Sequence, residues 1–171
     1  MEFAKLIDER RSVRAYQQRE VEDDKLRLVL HAANRAPSAG DLQAYGIVVV
    51  RDGQAKRALA GAAYDQLFVS EAPIVLVFLA RPSLSAVKYG SRGRALYCVQ
   101  DATIACAYAQ LAAHDLGLGA CWVGAFRDEA VCEIVGCSSD ELPVALLPLG
   151  YPAERPEPTP RRRLEELARS M

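Results

Sequence analysis

The stretch from Leu96 to Leu116 constrains the fold more than any other part of the chain. It carries Ala102, Ala105, Ala107, Ala109, Ala112 and Ala113. Alanine is the best helix former, and its small side chain lets neighbours approach from several sides. The stretch therefore predicts a largely buried central helix, ended by Gly117 in the C′ role. Such a helix has to be enclosed by other layers.

The rest of the chain supplies those layers. Gly46-Ile47-Val48-Val49-Val50, Pro73 to Leu79, Cys121-Trp122-Val123 and Pro143 to Gly150 are apolar, β-branched runs that read as four strands. In the second, Pro stands only at the start. Helical spacing of Phe3, Leu6 and Ile7 predicts a short helix over 2–9, and Leu26, Val29, Leu30 and Ala33 predict a second over 23–36, stopped by Pro37. Further helices are expected over 54–63 and over 128–135, the latter with Asp128 as its N-cap. Helices and strands are interleaved without an internal repeat. The expected class is α+β, with a central mixed or antiparallel sheet flanked by helices.

At 171 residues, the whole span 1–171 reads as a single domain, with a Pro-rich extended arm from about residue 151. Hydrophobic residues are 51% and charged residues 25%, which is globular composition rather than disorder. The net charge of −1 argues against a general nucleic-acid or anionic-membrane binder. Most cations are Arg, and they gather toward the two ends. No signal peptide is read in Met1 to Lys5. The longest strongly apolar run, Ile74 to Ala80, is too short to span a bilayer. A soluble, cytoplasmic protein is expected. The five cysteines are odd in number and form no C-x-x-C pair, so reduced, buried thiols are expected, with no metal site.

Sequence patterns for familiar chemistry are missing. Gly117-Leu118-Gly119 is followed by Trp122 where a dinucleotide fingerprint needs its third glycine, and it follows a helix rather than a strand. There is no Walker lysine motif, H-E-x-x-H or G-x-S-x-G. A chain without evident acid–base machinery points to a cofactor that carries the chemistry.

Four stretches offer groups for such a cofactor. Arg10-Arg11-Ser12-x-Arg14 sets residues 10, 12 and 14 on one face of an extended segment. Guanidinium forks match phosphate oxygens, and the hydroxyl adds a donor. Ala36-Pro37-Ser38-Ala39-Gly40-Asp41-Leu42-Gln43 combines small residues with directional polar groups. Leu116 to Phe126 includes Gly124, which lets a planar ligand reach backbone N–H groups. Arg161-Arg162-Arg163 follows the Pro-rich arm. Taken singly, these also read as a basic turn, a helix-to-strand loop, a C-cap with a strand, and a basic tail.

In this order the four resemble the nitroreductase-like FMN-dependent oxidoreductase family in its short form, over essentially the whole chain. Tyr89-Gly90-Ser91-Arg92-Gly93, Tyr97 to Asp101 and Pro148 to Pro152 add to the likeness. The resemblance implies a homodimer with FMN at the subunit interface. Arg10 and Arg11 would stand at the cofactor, Arg10 at its phosphate, with Ser12 at the ribityl or phosphate region and Arg14 near the pyrimidine N1/O2 edge. Pro37, Ser38, Ala39 and Asp41 would approach from the partner subunit. Gln66 would contact the pyrimidine ring, and the backbone of Gly124 and Ala125 would face N5 and O4. Arg161 and Arg163 would close over the phosphate. Asp41 stands where the family commonly has Asn, removing a donor and adding a charge.

The activity implied is hydride transfer from NADH or NADPH to FMN, and then to a small-molecule acceptor, a nitroaromatic, quinone or activated alkene, in ping-pong order. Three other readings remain open from the sequence. One is a flavin-binding or sensing module without turnover. Another is a related flavin enzyme, a reductive dehalogenase or a flavin-fragmenting oxidase. The last is a structural protein whose Arg arms hold an acidic partner.

Overall fold

A computed structural model describes residues 2–171. The elements run in chain order as α1 (Phe3–Glu9), α2 (Asp23–Asn34), β1 (Tyr45–Val50), α3 (Gly53–Ala62), α4 (Phe68–Glu71), β2 (Ile74–Ala80), α5 (Pro82–Arg92), α6 (Cys98–Asp115), β3 (Gly119–Ala120), α7 (Asp128–Val135), β4 (Leu142–Gly150) and α8 (Leu164–Leu167). The strands form one sheet in the order β1-β2-β4-β3, and every ladder is antiparallel. The antiparallel alternative of the sequence reading therefore holds. Among the described residues a parallel component survives only as a single bridge from Ser12 to Ala120.

The strand β2 is buried on both faces, which explains its unbroken apolar run. Alternate residues point to opposite sides. Ile74, Leu76 and Phe78 pack with Val29 and Ala33 of α2 and with Ala105, Ala109 and Ala113 of α6. Val75, Val77 and Leu79 face Leu59 of α3, Val69 of α4 and Val131 of α7. The result is a sheet with helical layers on both sides. Each fully buried Leu, Val or Phe contributes roughly 1.5–3 kcal/mol relative to exposure. The alanine face of α6 lies flush against the sheet and α2, as its composition requires.

Several local expectations shift. The expected strand over 121–123 is the continuation of β3, in unchanged register: the Cys121 N–H donates to Pro148 O at 3.3 Å, and Val123 exchanges two 2.9 Å bonds with Leu146. Asp128 is the first helical residue of α7, and Arg127 occupies the N-cap. Asp128 and Glu129 still oppose the helix dipole favourably in the first turn. The helix α3 starts one residue early because Asp52 caps it, accepting from Ala55 N–H at 2.7 Å. Short α4 and broken α5 were not expected, although Pro82 at the start of α5 is a recognised helix-opening signal.

The cysteine expectation needs a correction. Cys132 and Cys137 are joined as a disulfide, with Cα atoms 4.8 Å apart. The end of α7 turns the chain back on itself, so two thiols five residues apart meet. Cys98, Cys106 and Cys121 are free and buried, as expected of small apolar side chains. Among the described residues, no helix is long and apolar enough to cross a membrane.

Candidate functional site

The basic segment after α1 is laid along the exposed edge of β3. Val13 N–H donates to Ala120 O at 3.1 Å. Gly119 makes this approach possible, since a Cβ there would collide with the Val13 side chain. The start of the Pro-rich arm holds the segment from the other side. Gln17 N–H donates to Tyr151 O (2.8 Å), Ala153 N–H donates to Ala15 O (2.9 Å), and the Glu154 carboxylate accepts from the N–H groups of Arg14 and Ala15. Buried Tyr16 donates to Val13 O at 2.8 Å and lies 3.2 Å from Pro148 O.

This framework gathers cations without neutralising them. Arg10 is half-buried, and Arg161 returns from the end of the arm to its vicinity. Burial, then the charges of Arg161 and Arg11, hold the Arg10 guanidinium below its ordinary range. Among the described residues neither Arg10 nor Arg161 forms an ion pair. Arg161 donates only to the Thr159 and Pro160 carbonyls. Two guanidiniums held together without a carboxylate are suited to an anion with several acceptor oxygens.

From there a strip of groups leads through Cys121 and Phe68 toward Gln66. Cys121 lies beneath the segment. Burial pushes its thiol up, against the opposing influences of Arg14, the Ser12 hydroxyl and Arg10. Next to it the Arg14 guanidinium lies over the Phe68 ring, 5.8 Å from the centroid. Gln66 stands just before α4 and donates from Nε2 to Ala63 O (2.9 Å) and to Ala125 O (3.2 Å). Gly124 and Ala125 are exposed.

The structure thus brings together Arg10, Arg11, Ser12, Arg14 and Arg161, and joins Gln66 to Ala125. It does not bring Pro37, Ser38, Ala39 and Asp41 to them. That loop leads into β1, at the opposite edge of the sheet and three strand spacings away, roughly 14 Å. Asp101 anchors it, accepting from Ala39 N–H (2.9 Å) and Ala44 N–H (3.2 Å), while Ser38 Oγ accepts from Gln43 N–H (3.0 Å). Asp41 is exposed in a short turn of left-handed backbone, with φ of 58°. Arg163 is also set apart: its Nε pairs with Glu166 at 3.1 Å, and its side chain is 80% exposed. Phe68 was not singled out from the sequence. Its place next to Gln66, just ahead of an apolar strand, carried no signal that it would underlie Arg14.

A model of the nitroreductase family matches residues 7–151. The chain belongs to the nitroreductase family. Relatives agree along most of its length. An NADH dehydrogenase of Thermus thermophilus is 36% identical, with 92% of this chain and 90% of that protein covered. The FMN reductase (NAD(P)H) of Bacillus subtilis is 27% identical, covering 94% of this chain and 70% of its own. Among solved structures, the NADPH:FMN oxidoreductase of Vibrio harveyi complexed with NAD+ superposes with a TM-score of 0.90 at 25% identity. That match covers 98% of this chain and 76% of the Vibrio chain.

Proposed function

We propose that this member of the nitroreductase family is an FMN-dependent NAD(P)H oxidoreductase that works as a homodimer. The observation that carries the reading is the unpartnered Arg10–Arg161 pair beside Ser12, at the head of a strip that ends at Gln66 and Ala125. A phosphate-bearing planar cofactor fits such a strip, with charge at one end and amide groups at the other. The names of the Bacillus and Vibrio relatives support FMN and a nicotinamide donor.

Bound FMN supplies a two-electron relay, with hydride taken from NADH or NADPH and electrons passed on to a nitroaromatic, quinone or activated alkene in a second half-reaction at the same face. The protein binds, orients and tunes. Arg10, Arg161 and Ser12 hold the phosphate by charge-assisted hydrogen bonds. Arg14 would supply a cation beside the bound ring system, which would favour an anionic reduced form. Exposed Gly124 and Ala125 leave their backbone open to a planar ring. A second subunit supplies the loop 37–41, which one chain leaves at the far edge of the sheet.

The test is an anaerobic titration of FMN-loaded protein with NADH and with NADPH, followed by addition of a nitroaromatic. Bleaching of the oxidised-flavin absorption band by either donor, and its return with the acceptor, are expected. A purified protein that takes up no FMN overturns the reading. Bound flavin that neither donor bleaches favours a sensing module without turnover.

A further inference from the structure

The segment Lys88-Tyr89-Gly90-Ser91-Arg92-Gly93-Arg94-Ala95-Leu96-Tyr97 has no part in the strip described above. It contains three cations and two tyrosines, and no acidic residue occurs between Pro82 and Gln100. The backbone is irregular here. α5 breaks at Gly90, with φ of 55° and ψ of −138°, and a π-helical turn over Gly93–Tyr97 joins it to α6. Turns of this kind are frequent at functional positions.

The irregularity builds a ledge. Tyr89 and Tyr97 meet edge to face, with centroids 5.1 Å apart and planes at 81°. Arg92 donates from Nε to the Tyr97 hydroxyl at 2.9 Å, and its Cζ lies 5.4 Å from the Tyr97 centroid. Lys88 Nζ lies 5.5 Å from the centroid of Tyr89. Lys88 and Arg92 are exposed, and among the described residues neither forms an ion pair. Exposed Asp41, next to Gly40, is a carboxylate on the Lys88 side of the ledge, whereas three other acids of the neighbouring elements are already engaged. Asp101 holds Ala39 and Ala44, Asp140 accepts from Ser83 N–H, and Glu141 pairs with Arg81.

The ledge adjoins the loop proposed to reach the partner's flavin. A side chain at Gly40 would collide with the Tyr89 hydroxyl and the Lys88 ammonium. On its other side Tyr97 shares a hollow of about 440 Å³ with Pro37, Ala39, Gln100, Thr103 and Ile104. Oriented aromatic rings beside unneutralised cations match a ligand that carries both a flat base and phosphate.

We propose that Lys88, Arg92 and the Tyr89–Tyr97 pair bind the adenosine-phosphate end of the nicotinamide dinucleotide, and that the two cations select the 2′-phosphate of NADPH. The site and its ligand rest on the reading that a nicotinamide dinucleotide reduces a flavin in this protein. The 2′-phosphate is a dianion where NADH has a hydroxyl, so two free cations discriminate between the donors. Tyr97 is a positioning residue within this set, since its hydroxyl fixes the Arg92 fork.

Calorimetric titration of the FMN-loaded protein with 2′,5′-ADP and with ADP tests the proposal. Wild-type protein is expected to bind 2′,5′-ADP more tightly than ADP. The double variant Lys88→Ala/Arg92→Ala should bind 2′,5′-ADP at least roughly tenfold more weakly and lose the preference. Tyr97→Phe keeps the ring and should lose part of the preference, while Tyr89→Phe retains it. FMN uptake and thermal unfolding report that each variant is folded. Equal binding of 2′,5′-ADP by wild type and double variant overturns the proposal while the flavin reading stands. If wild-type protein takes up no FMN, the flavin reading fails by itself. The same titration on that protein then decides the ledge, supporting it where binding depends on Lys88 and Arg92 and overturning it where it does not.

Discussion

Asp101 Oδ1 accepts a hydrogen bond from the backbone N–H of Ala39 at 2.9 Å, across 62 positions of sequence. Its second oxygen accepts from Ala44 N–H at 3.2 Å. The side chain is 2% exposed, so both amides depend on it. One buried carboxylate in the central helix therefore holds the loop that carries Pro37, Ser38, Ala39 and Asp41 at two points, Ala39 and Ala44. Asp101→Asn keeps the shape but sets an NH2 group against a backbone donor. A loss of about 1–3 kcal/mol is expected from chemical denaturation. Hydrogen exchange at Ala39 and Ala44 should accelerate first. Unchanged exchange at both would show that the loop is held by other contacts.

Glu22 gives the chain a local acid sensitivity. The Tyr151 hydroxyl donates to its carboxylate at 2.7 Å, and Arg19 pairs with it at 2.8 Å. The Tyr151 bond leads, followed by Glu22's own backbone N–H and Arg19, in holding its pKa down to about 2, against 4.5 ordinarily. A carboxylate with a lower pKa in the folded state stabilises it above the unfolded value. That contribution is lost as pH falls from about 4.5 toward about 2. Denaturant midpoints should thus fall with acid more steeply in wild type than in Glu22→Gln. The difference should shrink with added salt, because the group is exposed. Parallel acid profiles would remove Glu22 from the account.

The sequence made α2, β2, α6 and β4 legible because each has one strong pattern. Leu26, Val29 and Ala33 mark a helical stripe, and Ile74 to Ala80 can only be a strand covered on both faces. The arginine and glycine motifs were legible as types of group but not as places. Nothing local in Arg161-Arg162-Arg163 says that the first returns to Arg10 while the third turns to Glu166. Phe68 under Arg14 and the Cys132–Cys137 bond were hidden for the same reason: both depend on how a chain turn closes in space. Periodicity reports which face is buried, not which surface side chains meet.

The Cys132–Cys137 bond gives a thiol count that can be checked. Alkylation of unfolded but unreduced protein should label three cysteines, and five after reduction. The loop closed is short, so the chain-entropy contribution is small, roughly 2 kcal/mol by loop-closure arithmetic. Reduction should therefore lower the melting temperature modestly and leave the fold intact. Five labelled cysteines before reduction would show both thiols free in the purified protein.

Arg161 and Arg163 are two residues apart and separate the phosphate reading cleanly. Arg161 lies close enough to press on the charge of Arg10, and no carboxylate answers it. Arg163 already has Glu166 and points to solvent. Loss of one charge-assisted contact to a phosphate costs about 1.5–3 kcal/mol, or roughly 10- to 150-fold in affinity. Arg10→Ala and Arg161→Ala should each weaken FMN binding by that order, with a shallower dependence on salt. Arg163→Ala should change it little, and Arg57→Ala and Arg127→Ala should leave it as in wild type. Arg127 is committed elsewhere, donating to Gly61 O at 3.1 Å. Fluorescence titration of apoprotein with FMN reads all five variants. A larger loss in Arg163→Ala than in Arg161→Ala would mean that the arm re-registers by two residues when the cofactor binds.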